Sequence, residues 1–136
     1  MPELPEVEVL RRHLAQVLPG KTVRRVEICR ERVINPDSPA HLRNALGGAT
    51  FRQISRRGKY LLFRFSKTGR MFDLLGHLGM TGRFYVQPAD ANLPRHTALW
   101  LDLGKERFVF EDTRYFGRFT LDTASVSELG PEPLEK

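Results

Sequence analysis

Pro2 is the residue whose chemistry stands out first, because removal of Met1 ahead of it leaves an N-terminal proline whose nitrogen is a secondary amine. A terminal amine has a pKa of roughly 8, far below that of lysine, so a usable fraction is unprotonated at neutral pH. Attack of such an amine on a sugar C1′ or an aldehyde gives an iminium ion, which is positively charged without needing a proton. That ion draws electrons from the neighbouring carbon, and strand cleavage by elimination results. Glu3 and Glu6 flank the amine at a helix start. There one carboxyl held protonated can serve as general acid while the other orients the amine. The same residues also suit plain structural work, in which Pro2 and Pro5 stiffen an opening turn and the glutamates favour the helix dipole.

Three later segments carry further chemistry. Arg56-Arg57-Gly58-Lys59-Tyr60 places three cations around a glycine just before an apolar run. It suits contact with backbone phosphates, with Lys59 at a strand start projecting into a cleft, or else forms an ordinary solvated basic turn. Gly76-His77-Leu78-Gly79-Met80-Thr81-Gly82 reads as a glycine-rich loop displaying a histidine and a methionine between two strands. It lacks the Gly-Lys-Ser/Thr ending of a nucleotide phosphate loop. Met80 at its tip can wedge between base steps or cap the core. Asp112-Thr113-Arg114-Tyr115-Phe116-Gly117-Arg118 interleaves rings with guanidinium groups. Rings stack on base faces and arginine reaches base edges or phosphates, the alternative being a hairpin loop with its aromatics tucked inward. His96, after Arg95, offers one more phosphate contact or none. His13, His41, His77 and His96 are scattered without the i, i+4 spacing or acidic companions of a zinc site, so no metal is assigned to this chain.

These residues need elements to hold them. Val7, Leu10, Leu14, Val17 and Leu18 recur at helical spacing, with acids in the first turn and Pro19-Gly20 after the last, predicting an amphipathic helix over Pro5 to Leu18 that packs on a sheet. Ser38 as N-cap, Pro39 at the first helical position and Gly47-Gly48 past the end announce a short second helix burying Leu42 and Leu46. Strands are expected at Thr22 to Ile28, Thr50 to Ser55, Tyr60 to Phe65, Met71 to Leu75, Arg83 to Val86, Ala98 to Leu103, Arg107 to Glu111 and Phe119 to Asp122. Turns of about three residues fall at Lys67-Thr68-Gly69 and Gly104-Lys105-Glu106. The fold class is therefore mainly β with two helices: an eight-stranded antiparallel β-sandwich or flattened barrel flanked by an N-terminal helix and a second short helix.

Composition agrees. The chain has 136 residues, 22 Lys and Arg against 16 Asp and Glu, and a formal charge of +6. This length suits one domain, expected over residues 1–129, with the proline-bearing 130–136 starting a linker. No run approaches the ~18 consecutive apolar residues of a membrane span, which excludes a helical membrane protein. The acidic, proline-bearing start is no secretory signal. Cys29 is the single cysteine, so an internal disulfide framework is excluded and a reducing, cytoplasmic setting is expected. A pI near 10.0 favours a polyanionic partner.

Taken in order over the whole chain, Met-Pro-Glu-Leu-Pro-Glu-Val-Glu, Arg-Arg-Gly-Lys-Tyr-Leu, His-Leu-Gly-Met-Thr-Gly, Asp-Thr-Arg-Tyr-Phe-Gly and Leu-Gly-Pro-Glu-Pro-Leu resemble the N-terminal domain of the bacterial formamidopyrimidine-DNA glycosylase (Fpg/Nei) family. Leu4 resembles the formamidopyrimidine branch. The resemblance implies base-excision repair of oxidised purines such as 8-oxoguanine and formamidopyrimidines by a bifunctional glycosylase and abasic-site lyase, with β,δ-elimination in the complete protein. Pro2 would form the Schiff base at C1′, Glu3 would protonate the sugar, and Glu6 would support that pair. Lys59 would sit beside the lesion phosphate as proton donor in β-elimination. His96, Arg114 and Arg57 would bind DNA, and Met80, Arg114 and Phe116 would fill the gap left by a flipped nucleotide.

The implied partner is double-stranded DNA containing an oxidised purine or an abasic site, met by a monomer with no membrane attachment. The resemblance also places a helix-two-turn-helix region and a finger with one structural zinc beyond this chain. Tyr115 stands where many relatives carry a second arginine, and Thr97 where an acid commonly follows the histidine. A non-catalytic DNA-binding module, or a β-sandwich whose basic surface meets an acidic protein, would fit the composition too.

Overall fold

The computed structural model describes residues 4–34, 38–79, 82–113 and 117–121. The expected N-terminal helix is α1 (Leu4–Val17). Val7, Leu14 and Leu18 are buried, with Leu10 and Val17 packed against them, so the apolar stripe faces the protein as its spacing requires. A one-turn 3-10 helix at Glu31–Ile34 inserts Val33 and Ile34 into the core. It has too few residues to show a period, and the sequence pattern does not announce it. Helix α2 (Pro39–Leu46) begins at Ser38, whose side chain accepts the His41 N–H at 3.1 Å, and buries Leu42 and Leu46 as expected.

The strands are β1 (Arg25–Ile28), β2 (Thr50–Arg57), β3 (Tyr60–Lys67), β4 (Arg70–His77), β5 (Gly82–Pro88), β6 (Thr97–Asp102), β7 (Glu106–Asp112) and β8 (Arg118–Thr120). They form two four-stranded sheets, ordered β1-β6-β7-β5 and β2-β3-β4-β8. Every pairing is antiparallel. The eight-stranded sandwich with two helices is the architecture observed. Between the sheets lies a cluster of phenylalanines: Phe51, Phe63, Phe65, Phe84, Phe108, Phe110 and Phe119 are all buried. Phe63 sits edge-on to Phe108 at 5.5 Å and to Phe84 at 5.7 Å, joining rings from both sheets.

Two details decide what the sheets present to solvent. A β-bulge at Arg52 shifts the β2–β3 register between Phe51 and Gln53. Phe51, Ile54 and Arg56 therefore share the inner face although the first two are three residues apart. Strand β4 continues through Gly76 to His77, where the glycine reading predicted a loop. A Cβ on Gly76 would lie 3.1 Å from atoms of Phe63 and Phe84 and 3.3 Å from Phe119, so glycine is there to admit rings. The β3–β4 turn has only two central residues, Thr68 and Gly69, between paired Lys67 and Arg70. The expected strand from Thr22 is shorter: Thr22 makes only an isolated bridge to Thr50. The expected domain boundary at 129/130 lies outside the described residues.

Candidate active site and nucleic-acid interface

Lys59 sits in a two-residue turn. Arg57 and Tyr60 pair across the β2–β3 hairpin, leaving Gly58 and Lys59 at its tip, and Gly58 adopts the left-handed φ of 58° that such tight turns need. The reading of Arg56 as a phosphate contact is overturned. Its side chain is wholly buried, on the inner face beneath the hairpin, out of reach of a phosphate in solvent. Its Nε donates to Glu8 Oε1 of α1 at 2.9 Å, and its Nη1 donates to the Gly58 carbonyl at 2.9 Å. Arg57, the neighbouring residue, lies on the opposite face and is half-buried.

The pairing of the sheet aligns Arg57 with Tyr60, Tyr60 with His77, and His77 with Arg118. Directly paired residues share a face, so these four form one row across all four strands at the end that carries the Lys59 turn. The Tyr60 and His77 rings are 4.8 Å apart. Burial, then the positive charges of Lys59 and Arg118, hold the His77 imidazole below its usual pKa of 6.5. Its Nδ1 accepts the Gly79 N–H at 3.2 Å, which leaves the neutral ring's proton on Nε2. His77 thus closes a strand; it is not displayed on a loop.

His96 and Gly117 are linked through Asp112. This wholly buried residue donates its backbone N–H to the His96 carbonyl at 3.0 Å, and its Oδ2 accepts the Gly117 N–H at 2.8 Å. Asp112 therefore ties the backbone of Gly117 to that of His96. Glu6 is exposed on the first turn of α1. Pro2, Glu3, Met80, Arg114 and Phe116 lie outside the described residues. Among the described residues, the structure gathers Lys59, Arg57, Tyr60, His77 and Arg118 at one sheet end, with His96 on the neighbouring loop system. Sequence reading missed the row and missed Glu8. The pairing through Gly76 would have revealed the row, and an acid on the helix face opposite a buried arginine would have revealed Glu8.

Among the described residues no three His, Cys, Asp or Glu side chains converge as metal ligands. No helix among them is long and apolar enough to cross a membrane.

Comparison with known proteins gives this geometry its context. The chain is 43% identical to the formamidopyrimidine-DNA glycosylase of Symbiobacterium thermophilum, with 98% of the chain and 45% of the relative aligned. It is 38% identical to that of Lactiplantibacillus plantarum, with 98% and 50% aligned. The chain thus spans about half the length of the curated relatives it matches. Among solved structures, the complex of Lactococcus lactis Fpg with an abasic-site-containing DNA superposes with a TM-score of 0.81 at 34% identity, covering 88% of this chain and 43% of that one. A complex of inhibited LlFpg with an N7-benzyl-Fapy-dG-containing DNA gives 0.82 at 35%, covering 89% and 44%. Residues 1–119 match the family model described as the formamidopyrimidine-DNA glycosylase N-terminal domain, and the chain belongs to that family.

Proposed function

We propose that this chain is the nucleophile-bearing domain of a base-excision repair enzyme that removes oxidised purines from double-stranded DNA and cleaves the resulting abasic site, acting as a monomer in the bacterial cytoplasm. The observation that carries the reading is the row of Arg57, Tyr60, His77 and Arg118 across the sheet end that carries the Lys59 turn. A row of basic side chains at one sheet end suits contact with the phosphates of a DNA backbone.

The chemistry builds on the residues. The Pro2 lone pair forms a bond to C1′ as the base departs with the glycosidic electron pair. Glu3 supplies a proton to O4′ as the C1′–O4′ bond opens, nitrogen loses its own proton, and a cationic imine remains. Loss of a C2′ proton to solvent then sends its electron pair toward the imine and expels the 3′ phosphate. Lys59 serves that departing group as proton donor. Glu6 supports the Pro2–Glu3 pair, and Arg57, His96 and Arg114 hold the backbone. Met80 and Phe116 replace the stacking of the extruded nucleotide, without which C1′ stays out of reach of any amine. The zinc finger implied by the resemblance is a further part of the whole protein.

Borohydride trapping on an abasic-site duplex tests this. The whole protein carrying this chain, with Met1 removed, is expected to give a covalent adduct that Pro2→Gly abolishes. Salt-dependent DNA binding without adduct or strand scission would establish a non-catalytic module instead.

A further inference from the structure

The Glu8–Arg56 pair is built more elaborately than attachment of a helix to a sheet requires. Glu8 lies on the second turn of α1, just past the residues that the reaction needs at the N-terminus. Its carboxylate accepts from Arg11 Nε at 3.0 Å and Nη2 at 2.8 Å, from Arg12 Nε at 3.0 Å, and from the buried Arg56 Nε at 2.9 Å. Arg11 also reaches the β2 carbonyl of Ile54 at 3.4 Å. From the other end of the same guanidinium, Arg56 Nη1 holds the carbonyl of Gly58, the residue before Lys59.

Burying a guanidinium is expensive, and exchanging buried ion pairs for apolar side chains of similar volume often leaves stability unchanged or higher. An apolar residue at position 56, next to the apolar inner face of β2, would satisfy packing alone. What it would not supply is a directional, two-ended link. One planar group spans from the first half of α1 to the hairpin tip with two bonds of 2.9 Å.

We infer that Glu8 and Arg56 are positioning residues for the strand-cleavage step, fixing the Lys59 turn relative to the start of α1. Neither touches the DNA in this scheme; both act through Gly58 on where the Lys59 ammonium stands. The inference rests on the function proposed above. It differs from a stability role in predicting which step slows. Schiff-base formation depends on the helix start, whereas the elimination depends on Lys59 meeting the departing phosphate. Displacing the turn therefore slows elimination while leaving the imine to accumulate.

The experiment uses the whole protein with an abasic-site duplex, comparing parent, Arg56→Met, Arg56→Lys, Glu8→Gln, Lys59→Ala and the Arg56→Met/Lys59→Ala double variant. Melting temperature, KM, single-turnover scission rate and the ratio of borohydride-trapped adduct to cleaved strand are read for each. Arg56→Met and Glu8→Gln are expected to keep KM within about twofold, to slow scission tenfold or more, and to raise the adduct-to-product ratio. Arg56→Lys, with a point charge and no fork, should fall between. The double variant should cleave no more slowly than Lys59→Ala alone, because the arginine acts through the lysine.

Scission within twofold of the parent in Arg56→Met overturns the inference. So does a parallel loss of trapping, scission and melting temperature, failure of both Arg56 variants to fold, or a double variant slowed multiplicatively. A parent that forms no adduct removes the functional reading and this inference together, whereas a trapping parent with unaffected variants removes the positioning role alone.

Discussion

The backbone N–H of Gly117 donates to the buried carboxylate of Asp112 across 2.8 Å, so one side chain joins two positions five apart in the sequence. The same residue's own N–H holds the His96 carbonyl. Removing the carboxylate leaves the Gly117 donor buried without that acceptor, which costs about 1–3 kcal/mol. Asp112→Ala is expected to lower the melting temperature by roughly 5 °C or more, measured by calorimetry. Asp112→Asn keeps an oxygen acceptor and should lose less.

Gly117 itself leaves no room for a side chain. A Cβ there would stand 2.8 Å from the His77 carbonyl oxygen and would collide with the Phe110 ring. Gly117→Ala is expected to destabilise by about 1–3 kcal/mol, the usual cost of overpacking. Gly76→Ala, whose Cβ would meet only ring atoms at 3.1–3.3 Å, should cost less. Denaturant midpoints for the two variants give the order, and a reversed order would contradict the packing described.

His77 provides a spectroscopic test of the cationic row. Burial lowers its pKa below 6.5 first, and the charges of Lys59 and Arg118 lower it further. Lys59→Ala removes one of those charges, so the imidazole midpoint followed by NMR should move upward. Because the folded-state value is depressed, the unfolded chain binds this proton more readily, and His77 subtracts stability as pH falls below 6.5. A Lys59→Ala variant is therefore expected to lose less stability over that interval than the parent. An unmoved midpoint would mean that the turn does not face the histidine.

Glu8 governs the acid limb. Hydrogen bonds from Arg11, opposed in part by desolvation and reinforced by Arg56 and Arg12, bring its pKa from 4.5 down to about 2. A carboxylate depressed in the folded state contributes stability that is fully present above its unfolded value. That contribution is lost as pH falls from about 4.5 to about 2. Arg12 stands largely in water, so screening reduces the contribution to about 1–2 kcal/mol. Glu8→Gln should flatten that part of the stability-versus-pH curve, with the difference from the parent shrinking below about pH 3 in urea titrations.

Much of the fold is legible in the sequence. Both helices can be read from capping residues and a 3.6-residue period, because each buries a single stripe. All eight strands can be read from short apolar runs between turn residues. The features that fail to show have specific causes. Gly76 reads as a loop residue because sequence cannot display the three rings that displace a side chain there, and misplacing it hides His77 within a supposed loop. Arg56 reads as a surface cation because type and neighbours say so. Only the bulge at Arg52 reveals that it faces inward, and its partner Glu8 lies 48 positions away. The four-residue turn at Glu31–Ile34 is too short to have a period. Of the proposed site, Lys59, Arg57, His96 and Glu6 can be located, whereas Pro2, Glu3, Met80, Arg114 and Phe116 lie outside the described residues.

Arg52 is also the one position along β2 at which chain length can change without turning the strand over. Removing it leaves Phe51 opposite Phe65 and Gln53 opposite Arg64, the pairs already present, and keeps Arg56 beneath the hairpin. A deletion between Gln53 and Arg56 instead reverses the facing of the strand on one side of the cut, pushing a cation into the phenylalanine core or an aromatic ring into water. Single-residue deletions scanned along β2 should show one tolerated site in a run of intolerant ones, read as soluble yield and melting temperature. In relatives of differing length, this strand should gain or lose its residue there.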